Sequence, residues 1–335
     1  MKTFVQVTLV LSLAIISPGI QAADYTIKFS HVVAENTPKG RAAQRFAELL
    51  EKRTNGRVKV EVFPNSQLYN DDKVLEAMRL TTSKTTGIIA APSLSKFVKF
   101  SNTLQAFDLP YLFSSVDDVH TLVDSPLMAK MTAGLEKKGL HALTVWDNGM
   151  KVFSIKGDKP LRMTPSDFNG KKFRIQSSNI SASMIEKLGG IPQKLSFKEV
   201  YTALAQGVVD GQENTWSNIH SKKFHEVQSF ISVSNHSYLG YLMVVSSEFW
   251  NKLPADIRTA ITESLREATM ANRQFAAEAD DADRKKVETS GYAKIVELSA
   301  AERKAWREAT APVWSEFRDE IGGDLIDEIN ALLKR

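Results

Sequence analysis

The 37 residues from Pro254 to Ser290 contain no glycine and no proline after the first, and Gly291 ends the run. As one helix the run is roughly 55 Å long at 1.5 Å per residue, longer than a domain of ~150 residues is wide. A continuous helix must therefore cross and brace two domains, whereas two helices with an unmarked bend near Asn272 satisfy the spacing equally well. Asp280, Asp281 and Asp283 lie inside the run with no glycine where a calcium loop needs one, so they read as a solvated helix face.

The start of the chain, MKTFVQVTLVLSLAIISPGIQAADYT, has Lys2, an apolar run from Phe4 to Ile16, and a Pro18-Gly19 break. This is the pattern of a secretory signal peptide, residues 1–22, cleaved after Ala22. Its core is too short to span a bilayer comfortably, and no later stretch approaches the roughly 20 apolar residues a membrane helix needs. Removing 22 of the 335 residues leaves 313, which implies an exported, soluble chain of two domains. An apolar content of 43% supports full folding. Zero cysteines exclude disulfides and thiolate metal sites, which suits a bacterial periplasm better than a small disulfide-stapled secreted domain. The net charge of +4 is spread among interleaved acids, and no basic block with aromatics appears, so nucleic-acid binding is disfavoured.

Residues 25 to 30, YTIKFS, alternate apolar and polar and predict a strand. Thr37-Pro38 then supply an N-cap and a first-turn proline, and Ala42, Ala43, Phe46, Leu49 and Leu50 recur at helical spacing until Gly56. RVKVEVFP, 57 to 64, alternates again, completing a strand–helix–strand unit of the kind that builds a parallel sheet. A second helix is expected over about 71 to 80, before TGIIAAPS, whose apolar run suits a strand buried on both faces. In open α/β sheets ligands sit beyond the carboxyl ends of strands, where His31 and Ser93 fall. Each is also explained as a loop residue bonded locally.

GLHALTVWDNGMKVFSIK, 139 to 156, holds two apolar stretches interrupted by Asp147-Asn148-Gly149, where a crossing into a second domain is expected. There the pattern restarts. KKFRIQS reads as a strand and SASMIEKLGG as a short helix closed by Gly189-Gly190. Ser196 with Glu199 forms a capping box opening the helix FKEVYTALAQG, and VVDGQEN returns as a strand or extended turn.

No catalytic, metal or cofactor apparatus is legible. The histidines at 31, 120, 141, 220, 225 and 236 include no pair at i, i+3 or i, i+4, and His225-Glu226 lacks the second histidine of a zincin. There is no G-x-S-x-G elbow, phosphate loop or G-x-G-x-x-G turn. What stands out is a set of polar residues at strand ends together with cations. Arg174 offers a planar fork matched to a carboxylate, Asn214 one donor and one acceptor, and Lys151 a second positive charge. Pairing of Arg174 with an acid at a sheet edge and simple exposure of Lys151 remain open alternatives.

KKFRIQSS (171 to 178), FKEVYTALAQGVVDGQENTWSNI (197 to 219), KFHEVQ (223 to 228) and SNHSYLGY (234 to 241) resemble the periplasmic solute-binding subunits of tripartite ATP-independent (TRAP) transporters, most of all the DctP-type receptors for C4-dicarboxylates. FSHV at 29 to 32, FPNSQL at 63 to 68 and LPYLF at 109 to 113 extend the likeness over essentially the whole mature chain. The resemblance implies an α/β two-lobed periplasmic-binding-protein (Venus flytrap) fold with a long helix spanning both lobes. Residues 23–148 plus about 240–275 would form lobe I, and 149–239 plus about 276–335 lobe II. It implies that Arg174 clamps a ligand carboxylate and that Asn214 faces it. Lys151 stands where many relatives carry a second arginine. Ser93, His31 and Phe197 are implied to line the cleft, Trp216 to wall it, and Lys39 is a candidate for the distal carboxylate, the alternative being a solvated first-turn lysine. The implied ligands are succinate, fumarate and malate, and the partners a small DctQ-type and a large DctM-type membrane subunit. The receptor is expected to be monomeric and free of cofactor and metal. A receptor for another organic acid (keto acid, lactate or sugar acid) and a ligand-presenting partner of a sensor protein are the alternatives.

Overall fold

The computed structural model describes residues 23–334, so the expected signal segment 1–22 lies outside the described residues. The strands in chain order are β1 (Tyr25–Ser30), β2 (Val58–Phe63), β3 (Thr86–Ala90), β4 (Leu140–Met150), β5 (Val152–Ile155), β6 (Lys172–Ile175), β7 (Ile191–Lys194), β8 (Gly211–Asn214), β9 (Phe230–Val233), β10 (Tyr238–Ser246) and β11 (Lys294–Glu297). They form two sheets, ordered β2-β1-β3-β10-β4 and β11-β9-β5-β8-β6-β7. β1 pairs in parallel with β2 and β3, and β10 runs antiparallel between β3 and β4. In the second sheet β6 is parallel to both β7 and β8, while β5 is antiparallel to β8 and β9. The result is a two-lobed α/β fold, one sheet per lobe.

The Pro38–Arg53 helix starts as its sequence implies: the Thr37 side chain accepts the Gly40 N–H at 3.2 Å and Pro38 occupies the first turn. Gly40 is required here because a Cβ would lie 2.3 Å from the Ala34 carbonyl oxygen. The preceding loop is therefore pressed against the helix start, carrying Lys39 inward. The second helix is shorter than expected, Val74–Arg79, which leaves Asp71 and Asp72 in the turn before it.

The expected break at Asp147-Asn148-Gly149 is not a crossing. β4 runs through it to Met150, and the crossing falls at Lys151. Opposite these residues the β10 register shifts, so Leu239 pairs with Gly149 and Gly240 with Asp147, leaving Asn148 as an extra residue. The turn-like composition thus marks a bulge, which re-aims one side chain without ending the strand.

Ala255–Ser290 is one helix of 36 residues. At Asn272 the side chain is buried and bonds backbone instead of bending the helix: its Oδ1 accepts the Asp147 N–H at 2.6 Å and its Nδ2 donates to the Asp147 carbonyl at 3.3 Å. Ile257, Ile261, Leu265 and Ala268 pack with Phe29, Phe46 and Trp146 of the first lobe, whereas Val287 packs with Val152, Ile219 and Ile231 of the second. The helix thus spans both lobes. Asp283 is not a solvated position: it is buried, 3.0 Å from His220 and 2.9 Å from Lys286. The C-terminal helices also touch both lobes; Trp306 enters the core beside Phe153 and Phe168, and Trp314 donates to the Pro110 carbonyl at 3.0 Å.

Candidate functional site

Between the sheets lies a small, mostly enclosed cavity of about 20 Å³. The first lobe lines it with Asp71, Asp72, Lys96 and Tyr241, and the second with Arg174, Gln176, Phe197 and Asn218. Strand phase explains the second-lobe wall. Phe173 and Ile175 point into the lobe's core, so Arg174 and Gln176, two residues apart, share the opposite face.

Arg174 is 1% exposed, and its Nε and Nη2 donate to the Leu195 carbonyl at 3.0 and 2.9 Å. Among the described residues no carboxylate lies within ion-pair distance of it, so the open alternative of a sheet-edge ion pair does not hold. Burial pulls the guanidinium down to about 10, opposed chiefly by the field of Glu213 and then of Asp72 and Asp71. A buried cation held in place by a backbone acceptor is oriented but not neutralised, the state suited to receiving an anion.

Lys39 is not solvated. It is 1% exposed, its Nζ donates to the Ala91 carbonyl at 2.8 Å and lies 3.4 Å from the Tyr241 ring centroid. Burial pushes it down to about 8, with Asp71 opposing. His31, fully buried, has the Val33 backbone near its ring and makes no well-formed hydrogen bond; burial and the neighbouring Lys39 charge hold it near 3, so it is neutral. Ser93 accepts a bond from Gln176 Nε2 at 3.0 Å across the cleft, and its N–H donates to Asp71 at 3.3 Å. Asn214 Oδ1 accepts from Thr215 N–H at 3.2 Å and from Asn218 Nδ2 at 2.8 Å.

Arg174 and Phe197 therefore line the cavity directly, while Lys39, Ser93 and Asn214 each touch a lining residue. Lys151 and Trp216 are not brought there. The Lys151 ammonium is 2.6 Å from Glu213, both side chains buried, because the β5–β8 register sets Phe153 opposite Glu213. Burial raises the Glu213 carboxyl, but Lys151 and His236 beside it override that and hold it at about 2. Trp216 packs with Ile219 and Val287, and the Arg284 guanidinium lies 5.5 Å from its ring centroid.

Residues absent from the sequence reading of the cavity include Asp72 and Lys96. Lys96 Nζ donates to Asp72 at 2.7 Å and to Ser177 Oγ at 3.0 Å, and Ser177 donates to Asp72 at 3.1 Å. This triangle joins the lobes at the cleft, and Lys222 donates to Asn65 at 2.9 Å as a further bridge. Burial raises Asp72, but the Lys96 bond and charge outweigh it and hold the carboxyl low.

Two α/β lobes joined by short strand crossings and one shared helix, closing on a polar cavity, define a two-lobed solute-binding protein. A family model described as bacterial extracellular solute-binding protein, family 7 (DctP), matches residues 29–320, and the chain belongs to that family. It is 44% identical over 326 residues to the C4-dicarboxylate-binding periplasmic protein DctP of Shewanella loihica, covering 97% of this chain and 95% of the relative. A TRAP periplasmic solute binding protein of Shewanella oneidensis, solved with bound succinate, superposes with a TM-score of 0.88 at 44% identity, over 93% of this chain and all of that one. One from Pseudomonas aeruginosa with bound L-malate gives 0.82 at 37%, over 87% of this chain and 99% of that one.

Proposed function

We propose that this chain is exported to the periplasm, encloses C4-dicarboxylates between its lobes, and delivers them to the small DctQ-type and large DctM-type subunits of a TRAP transporter. The observation that carries the reading is Arg174: a buried guanidinium at the cavity wall, fixed by Leu195 and unpaired with any carboxylate among the described residues. Relatives holding succinate and L-malate support the ligand class. Arg174 clamps one carboxylate, with Asn214 beside it. Lys39 serves the other from the first lobe, with Ser93 and Phe197 shaping the cleft. Lys151 acts from behind through Glu213 and does not touch ligand. The lobes comprise residues 23–148 with about 240–275, and 149–239 with about 276–335, the C-terminal helices bridging them. No residue in the cleft is assigned to catalysis.

Closure follows from the division of contacts. Cations on opposite lobes are drawn to one dianion only when the lobes meet, so ligand shifts the population toward the closed state by its greater affinity for that state. In a thermal-unfolding panel, ligand at 100 times its dissociation constant adds about 2.7 kcal/mol, a rise of several degrees. Succinate, fumarate and malate should produce it. Arg174→Ala should abolish it for every carboxylate. A shift with lactate or pyruvate and none with the dicarboxylates refutes the ligand class, and an unchanged shift in Arg174→Ala refutes the clamp.

A further inference from the structure

Amide side chains are ambiguous readers of a ligand, because exchanging oxygen and nitrogen turns an acceptor into a donor. At Gln176 both orientations work: its partner is the Ser93 hydroxyl, which donates or accepts equally well. Asn218 is different. Asn214 Oδ1 accepts the Thr215 backbone N–H at 3.2 Å, and a backbone N–H is only a donor, so the Asn214 amide has one orientation. The same Oδ1 takes a bond from Asn218 Nδ2 at 2.8 Å, which fixes the second amide in turn. What remains of Asn218 is Oδ1, buried, without a partner, on a residue that lines the cavity. Asn218 itself is 3% exposed.

The other charged groups around the cavity are either donors or already engaged. Arg174, Lys96 and Lys39 carry N–H donors only. Asp72 is taken up by Lys96 and Ser177, and Asp71 accepts the Ser93 N–H and opposes Lys39. Asn218 Oδ1 is thus a fixed acceptor without a hydrogen bond, on a residue lining a cavity otherwise arranged for anions, beside the Tyr241 hydroxyl that meets the Asn218 amide and takes Asn148 Nδ2 at 2.7 Å. A carboxylate oxygen set against it meets a like dipole. A hydroxyl donates to it and removes the cost of a buried unpaired acceptor.

We infer that Asn218 Oδ1 is a specificity determinant that selects a hydroxyl-bearing C4-dicarboxylate over the unsubstituted one. The inference rests on the dicarboxylate reading above and names the ligand feature that the same site prefers. Its residue is separate from the Arg174 clamp, so the two are separable by experiment. A site built to bond a substrate hydroxyl discriminates strongly against the analogue that lacks it, because its own polar atom is left bare.

The test is calorimetric titration of the full mature chain with L-malate and with succinate, wild type beside Asn218→Ala. Wild type should bind L-malate at least about tenfold more tightly than succinate, the scale of one buried hydrogen bond made or lost. Asn218→Ala should lose that preference: both ligands weaken because Asn218 Nδ2 bonds Asn214, but L-malate weakens about tenfold more than succinate. Retained succinate binding also reports that the variant is folded. A variant that binds neither ligand leaves the wild-type ratio to decide: a preference for L-malate sustains the assignment and equal or reversed affinities overturn it. Equal weakening of both ligands in a variant that still binds shows Asn218 to be structural and overturns it too. If wild type binds neither compound, the dicarboxylate reading itself has failed, an outcome distinct from all the others.

Discussion

The role proposed for Lys39 predicts that ligand affinity falls with rising pH. In the ligand-free protein burial holds its ammonium at about 8, against 10.5 for an ordinary lysine. A ligand carboxylate beside it restores the ordinary range, so above pH 8 binding must take up a proton. Affinity is therefore flat below pH 8 and falls by up to tenfold per unit from there toward the bound-state value. At pH 9.5 only about 3% of free protein carries the Lys39 charge, which weakens binding about 30-fold relative to neutral pH.

Stability of the empty protein moves the other way. Between pH 8 and 10.5 the unfolded chain keeps the Lys39 proton while the folded one has released it, so the unfolding free energy rises with pH. The strain of holding the buried charge, about 3 kcal/mol below pH 8, is what this interval relieves. Of the groups facing Lys39, His31 is neutral with its value near 3, burial pushes Tyr241 up and out of range, and burial raises the Asp71 carboxyl against the charges of Lys39 and Lys96. Arg174, at about 10, adds a second loss of affinity toward the upper end of this interval, and Lys222, lowered by burial, bonds Asn65. Succinate titrations at pH 7.5, 8.5 and 9.5 on wild type and Lys39→Met read the effect. The variant binds more weakly at neutral pH and its profile is flat. A wild-type affinity constant to within threefold across this range, or the same fall in Lys39→Met, refutes the role given to Lys39.

Glu213→Gln leaves the Lys151 ammonium buried without its counter-charge and should cost about 3–5 kcal/mol in urea unfolding, with a second substitution, Lys151→Met, recovering much of it; a loss under about 1 kcal/mol contradicts the buried-pair assignment. Asp72→Asn weakens the triangle with Lys96 and Ser177, so ligand release measured by stopped-flow should speed up by a similar, few-fold factor for every dicarboxylate, and an effect on one ligand alone would make Asp72 a ligand contact instead.

The elements that local pattern encodes were legible. The YTIKFS strand, the Thr37 cap, the Ser196–Glu199 capping box and the glycine-free long run all appear where the residues place them. Arg174 was legible as a candidate for the same reason, since period-two alternation puts it opposite Phe173 and Ile175. What escaped is what only tertiary register decides. Asp147-Asn148-Gly149 has turn composition, yet pairing with β10 and the Asn272 amide keep it in a strand. Lys39 reads as solvated until the Gly40 contact shows the preceding loop folded against it. Lys96, Asp72 and Ser177 come from segments far apart in sequence and have no common local signal.

The pairing of charges separates a dicarboxylate from a monocarboxylate better than the resemblance of any one residue. Lys96 is matched by Asp72, and Lys151 by Glu213. Among the buried lysines and arginines of the described residues Lys39 and Arg174 are left, one from each lobe, with backbone carbonyls rather than carboxylates as hydrogen-bond partners. Asp71 only partly offsets Lys39, for burial still carries the ammonium well below its ordinary value. A monocarboxylate on Arg174 would leave that first-lobe cation buried and unanswered in the closed state, where an uncompensated charge is most costly. In the proposed complex a second carboxylate answers it, and because the two cations lie on opposite lobes, its attraction draws the lobes together.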